Sequence, residues 1–164
     1  MAAGNTLLIF HPYNNEPPAS NFATLDMRNL HPCLDFDAAT NESAVFSGVM
    51  PQHYAGGGVS CRIWWGAATA TTADTVWTMA FRAIEDDADD IDASHTYDFN
   101  TVTDTAPSAS GEFTAAVITF TNGAAMDNVG AGDLFLLRIT RNADDGADSM
   151  SGDAQLMAVE IRET

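Results

Sequence analysis

Residues 59–67, VSCRIWWGA, and residues 75–84, TVWTMAFRAI, decide the fold. In the first, Val59, Cys61, Ile63 and Trp65 alternate with Ser60, Arg62 and Trp64. In the second, Trp77, Met79 and Phe81 alternate with Thr78, Ala80 and Arg82. A period of two places each set on its own face of a pleated strand, so both segments read as strands with one face in a core. Trp65 and Trp77 fall on the buried faces. Trp64 points the other way, beside Arg62.

The same pattern extends in both directions. PCLDFDA (32–38) sets Leu34 and Phe36 against Asp35 and Asp37, and SAVFSGVMP (43–51) follows, ended by Pro51, which cannot donate to a ladder. HTYDFNTV (95–102) places Tyr97 and Phe99 inward against Asp98 and Asn100. FTAAVITFT (113–121) is apolar on both faces and reads as a central strand. LFLLRITR (134–141) buries Phe135, Leu137 and Ile139, and QLMAVEIRET (155–164) buries Met157, Val159 and Ile161. Only NGAAMDNVGAGD (122–133) suits a short helical turn. About eight strands separated by Gly, Pro and Asp turns predict an all-β, antiparallel two-sheet sandwich, and the jelly roll is the common eight-strand version. Strand order is not legible.

The sandwich is expected over residues 32–164, preceded by an extended N-terminal arm over 1–31. Within HPYNNEPPASNFATLDMRNLHP (11–32) the prolines forbid a long regular element, yet Tyr13, Phe22, Leu25, Met27 and Leu30 are too apolar for a solvated tail. The arm is also nearly neutral, with Glu16 and Asp26 against Arg28. It either grips a neighbouring subunit or wraps its own sandwich and covers a sheet edge. The first reading is preferred, with Pro12, Tyr13, Pro17, Pro18, Phe22 and Arg28 as contacts.

The 164 residues suit one domain, and 46% hydrophobic content is globular. Acidic residues number 23 against 6 arginines and no lysine, a net charge of -17. Such a body repels phosphate, which excludes nucleic acid as a partner. No apolar run has the length of a membrane span, and the N-terminus lacks a secretory pattern, so synthesis in the cytoplasm and no membrane contact are expected. Cys33 and Cys61 are too few for a disulfide framework and read as packed thiols.

The segment NNEPPASNFATLDMRNLHPCLDFDAATNESAVFSGVMPQHYAGGG, with TVWTMAFRAI, ITFTNGAAMDNVGAGDLFLLRITRNA and MSGDAQLMAVEIRET, resembles small structural proteins of tailed, often marine, bacteriophages. That resemblance implies a virion protein of the capsid-stabilising or decoration (cement) kind. Such a protein would sit on the outer capsid surface as a homotrimer, with the major capsid protein and its own copies as partners.

No enzyme pattern is present. His11, His31, His53 and His95 form no HExxH pair, there is no GxSxG elbow, and no glycine-rich phosphate loop precedes a helix. No cofactor is expected. Two acidic loops, with Asp86, Asp87, Asp89 and Asp90 in one and Asp144, Asp145 and Asp148 in the other, hold enough oxygen for Ca²⁺. Neither follows the EF-hand pattern, so both read as solvated faces and no metal is assigned. Arg62 and Trp64 form a possible surface contact, for a protein partner or a sugar. The leading expectation is therefore a capsid cement protein. The alternative is a tail-fibre or receptor-binding tip that recognises host-surface glycans, and a third reading is a free-standing lectin-like domain with no virion role.

Overall fold

The computed structural model describes residues 4–164. It holds ten strands: β1 (Thr6–Phe10), β2 (Thr24–Arg28), β3 (His31–Phe36), β4 (Glu42–Val49), β5 (Val59–Ala67), β6 (Asp74–Ile84), β7 (Asn100–Thr105), β8 (Thr114–Phe120), β9 (Leu134–Arg141) and β10 (Ala154–Glu163). One sheet runs β2-β3-β10-β5-β8, with β1 also on β10, and the other runs β4-β9-β6-β7. All ladders are antiparallel. β3 pairs with β10, β4 with β9, β5 with β8 and β6 with β7. This nested pairing, shared between two sheets, is the jelly roll. Its eight strands are β3 to β10.

The core lies between the sheets and is aromatic. Trp77 meets Phe36 edge-on at 5.0 Å and Trp65 at 5.7 Å, while Phe81 meets Phe120 at 5.0 Å. Each of these contacts ties one sheet to the other. The alternation expected in β5 and β6 is present, with Val59, Cys61, Ile63, Trp65, Trp77, Met79 and Phe81 all buried. The turn at Ala124–Met126 is a single 3-10 turn.

The expected arm over 1–31 takes the second of its two readings: residues 4–31 wrap their own sandwich and cover a sheet edge, and residues 1–3 lie outside the described residues. β1 pairs with Val159–Arg162 of β10, and β2 forms a hairpin with β3. Between them, Glu16 N donates to Val45 O (2.7 Å), Val45 N to Asn15 Oδ1 (3.0 Å), Ser43 N to Asn21 O (2.8 Å) and Ala23 N to Ser43 O (3.0 Å). These bonds satisfy the outer edge of β4, which would otherwise present unpaired backbone groups. Phe10 stacks on Phe46 at 5.3 Å, and Gly48 makes room for it: a Cβ there would lie 3.0 Å from the Phe10 ring. Prolines keep the segment from being one long strand, but not from docking in short pieces.

Three smaller expectations also change. β8 ends its sheet rather than sitting centrally, and Val117 on its outer face is exposed. Apolar residues on both faces do not by themselves separate an edge strand from a central one. In β10 the register shifts between Leu156 and Ala158, so Leu156 joins Val159 and Ile161 in the core while Met157 does not. A bulge resets the alternation by one residue. Finally, Tyr97 and Phe99 precede β7 and do not enter the core.

Candidate functional site

The outer face of the four-stranded sheet carries the most developed cleft. By register, Ser43, Thr140, Thr78 and Thr101 make a row of hydroxyls across all four strands. Ser43 Oγ and Thr140 Oγ1 share a hydrogen bond of 2.7 Å. The next row is Val45, Arg138 and Ala80. Above this floor the chain supplies two walls. One is Pro18–Asn21 from the former arm, pinned along β4; the other is the segment leading into β7, with Tyr97 and Phe99. Asn41 and Asn142 add amides, and the cleft measures about 680 Å³.

Arg138 organises the aromatic wall. Its guanidinium carbon lies 5.5 Å from the Tyr97 ring centre and 5.6 Å from that of Phe99. The two rings are 5.7 Å apart and tilted by 34°. Arg138 Nε and Nη2 both donate to Ser43 Oγ at 3.2 Å. His95 packs edge-on to Tyr97 at 4.8 Å and reaches Asp127 at 3.5 Å, which ties the wall to the turn after β8. Phe99 remains 39% exposed, so its ring is available to a ligand.

The residues expected as arm contacts separate. Pro12, Tyr13, Pro17 and Phe22 surround a shallow groove of about 370 Å³ with Leu25, whereas Pro18 lines the sheet cleft. Arg28 faces its own chain: it donates to Ala67 O (2.8 Å), Gln155 Oε1 (2.5 Å) and Ser110 Oγ (2.7 Å). Arg62 and Trp64 lie on the outer face of the other sheet, where Trp64 is 39% exposed between Ala115 and Ala158.

The acidic loops use their carboxylates locally. Asp89 and Asp90 accept from Glu85 N and Asp92 N, Asp144 pairs with Asn41, and Asp145 accepts from Ala147 N. Asp148 holds the buried Arg141 in a bidentate ion pair, with Nη2 2.8 Å from Oδ1 and Nε 3.1 Å from Oδ2. Among the described residues, Asp26, Cys33 and Asp35 bring three potential ligand atoms within 4.8 Å of one another. Burial, with Asp35 and Asp26 adding to it, pushes the Cys33 thiol up to about 11. Without a metal it stays protonated at neutral pH, as a packed thiol does. Burial likewise pushes the Cys61 thiol well up. Both cysteines are free and fully buried.

Tyr97 and Phe99 were expected in the core, and Arg138 was not among the candidate site residues. One signal was available. Val102 packs on the core, and counting back from it by twos gives Asn100, leaving Phe99 and Tyr97 on the opposite face.

Neither a protein-family model nor a curated protein matches the chain. Solved structures do. A family 35 carbohydrate-binding module from Cellvibrio japonicus superposes with a TM-score of 0.55 at 12% identity, covering 94% of this chain and 92% of that one. The tandem family 22 modules of a Paenibacillus barcinonensis protein give 0.55 at 11%, covering 99% of this chain and 51% of that one. A family GH115 4-O-methyl-α-glucuronidase with specificity for decorated arabinogalactans gives 0.56 at 11%, over 99% of this chain but 18% of the enzyme. None of the three is a phage structural protein. What they have in common with this chain is the two-sheet jelly roll.

Proposed function

We propose that this protein is a non-catalytic glycan-binding module that takes a carbohydrate chain across the outer face of its four-stranded sheet. The cleft carries this reading. A sugar ring has apolar C–H faces and a rim of hydroxyls. Phe99 and Tyr97 offer surface for the faces, while Asn21, Asn41, Asn142 and Arg138 offer donors and acceptors for the rim. The fold supports the reading, because the structural neighbours are carbohydrate-binding modules.

Of the roles expected from the sequence, this reading is nearer the glycan-recognising ones than the cement. Residues 15–23 bond to β4, so a cement role would use exposed side chains of the docked segment, Tyr13, Phe22 and Leu25 among them, and not a separate arm. On a virion such a module sits where host-surface glycans are met, at a fibre or receptor-binding tip.

Native gels cast with soluble polysaccharides test the reading. The protein is expected to be retarded by at least one polysaccharide. Phe99→Ala should weaken that retention about tenfold, the equivalent of roughly 1.4 kcal/mol of lost ring contact. Trp64→Ala should leave it unchanged. Retention lost in Trp64→Ala and kept in Phe99→Ala would move the site to the other sheet.

A further inference from the structure

The chain carries 23 acidic residues, yet none lines the cleft, whose one charged side chain is Arg138. The other arginines are occupied differently. Arg141 and Arg162 form ion pairs with Asp148 and Glu160. Arg28 spends its donors on carbonyl, amide and hydroxyl oxygens of its own chain. Arg62 stands opposite Glu160 across the β5–β10 ladder without an ion pair to it, and Arg82 reaches Asp90 O at 3.3 Å in the acidic loop; the Nε of each has no hydrogen-bond partner, but neither arginine lines the cleft. Arg138, like Arg28, Arg62 and Arg82, has no ion-pair partner among the described residues, and of these four it is the one that lines the cleft. Two of its N–H groups go to the single Ser43 hydroxyl, and Nη1 has no protein acceptor. A guanidinium has five donors in a planar fork suited to carboxylate and sulfate oxygens. Here it is partly buried, set against two aromatic rings and missing a counter-charge.

We infer that the cleft selects an anionic sugar, whose carboxylate or sulfate ester meets the free edge of Arg138 while its ring packs against Phe99. This rests on the glycan reading above and adds the substrate class. The body's net charge of -17 repels a densely charged chain, so the fit is to isolated charges on an otherwise neutral glycan. A neutral sugar would supply hydroxyls to the fork but would leave its charge uncompensated.

The test is an array of neutral, uronate-bearing and sulfated oligosaccharides, each uronate paired with its carboxyl-reduced form. The full chain, Arg138→Gln, Arg138→Lys and Phe99→Ala are compared on it. Anionic members should bind at least about tenfold tighter than their neutral forms, and Arg138→Gln should erase that difference. Arg138→Lys, which keeps the charge but not the fork, should retain part of it, and Phe99→Ala should weaken every member alike. The uronate and sulfate arms identify which anion is preferred. If neutral and anionic forms bind equally well, the anion inference falls and the glycan reading stands. If no oligosaccharide binds, both fall. Should Arg138→Gln not fold, the wild-type comparison of each uronate with its reduced form still decides.

Discussion

Arg138 and Arg141 lie three positions apart on β9 and face opposite ways. Arg141 points inward and is fully buried; besides the pair with Asp148, it donates to Gly152 O (2.8 Å), Met150 O (2.6 Å) and Phe36 O (3.3 Å). It therefore pins the 142–153 loop to the sandwich end, a role that leaves no charge for a ligand. Arg138 keeps its charge for the surface. A second buried polar site behaves differently. Burial raises the Asp35 carboxyl above its usual 3.8, with Asp26 and Asp153 adding to the shift and a hydrogen bond from Gln155 opposing it. A carboxyl raised in the folded state costs stability when ionised. The cost is complete above the folded pKa and absent below the unfolded value. Asp35→Asn is thus expected to raise the urea midpoint at pH 7, and the gain should shrink with falling pH and vanish below 3.8. Asp86→Asn, which makes the same change in net charge at an exposed loop, should give less. Equal gains in the two variants would mean that only net charge matters.

The N-terminal segment changes its meaning as an element. β1 covers part of β10 and delivers Phe10 against Phe46 and Phe135. Thr6 Oγ1 donates to Glu160 Oε1 at 2.5 Å. Deleting residues 1–11 removes that ring and re-exposes strand edge. A loss of about 3–5 kcal/mol is expected, the scale of a core Phe→Ala change, measured by urea unfolding. A truncated chain of unchanged stability would restore the picture of a dispensable arm. Local alternation made β5 and β6 readable, because Ile63, Trp65, Trp77, Met79 and Phe81 put large apolar side chains at successive inward positions. It could not give the pairing of β3 with β10, which lie more than a hundred positions apart. Nor could it reveal the bulge that turns Met157 out, since no residue type marks it. The hairpin turn at Asn29–Leu30 is a further case. Both residues take positive φ (46° and 71°), and leucine in place of the glycine favoured there hides the turn from composition.

At the scale of the whole molecule, an acidic body presents a cleft without carboxylate side chains in its lining, built from parts far apart in the chain. Residues 18–21 form one wall, 97 and 99 the other, and β4, β6 and β9 the floor. Alternation placed the two wall aromatics in the core, so the site was the least legible part of the sequence. It depends on where a loop lies over a sheet, and that is decided by Arg138, Ser43 and the β4 edge together. The distribution of charge matters for the proposed binding as well, since acidic surroundings disfavour dense polyanions while the Arg138 edge would take an isolated anionic group. The most direct test of the cleft as the ligand face is amide chemical-shift mapping by NMR, titrating the full-length protein with the polysaccharide fragment that retains it best. Shifts are expected at Asn21, Val45, Thr78, Phe99, Arg138 and Thr140, with the outer face of the six-stranded sheet unchanged. Shifts gathered instead around Arg62, Trp64 and Val117 would contradict the assignment.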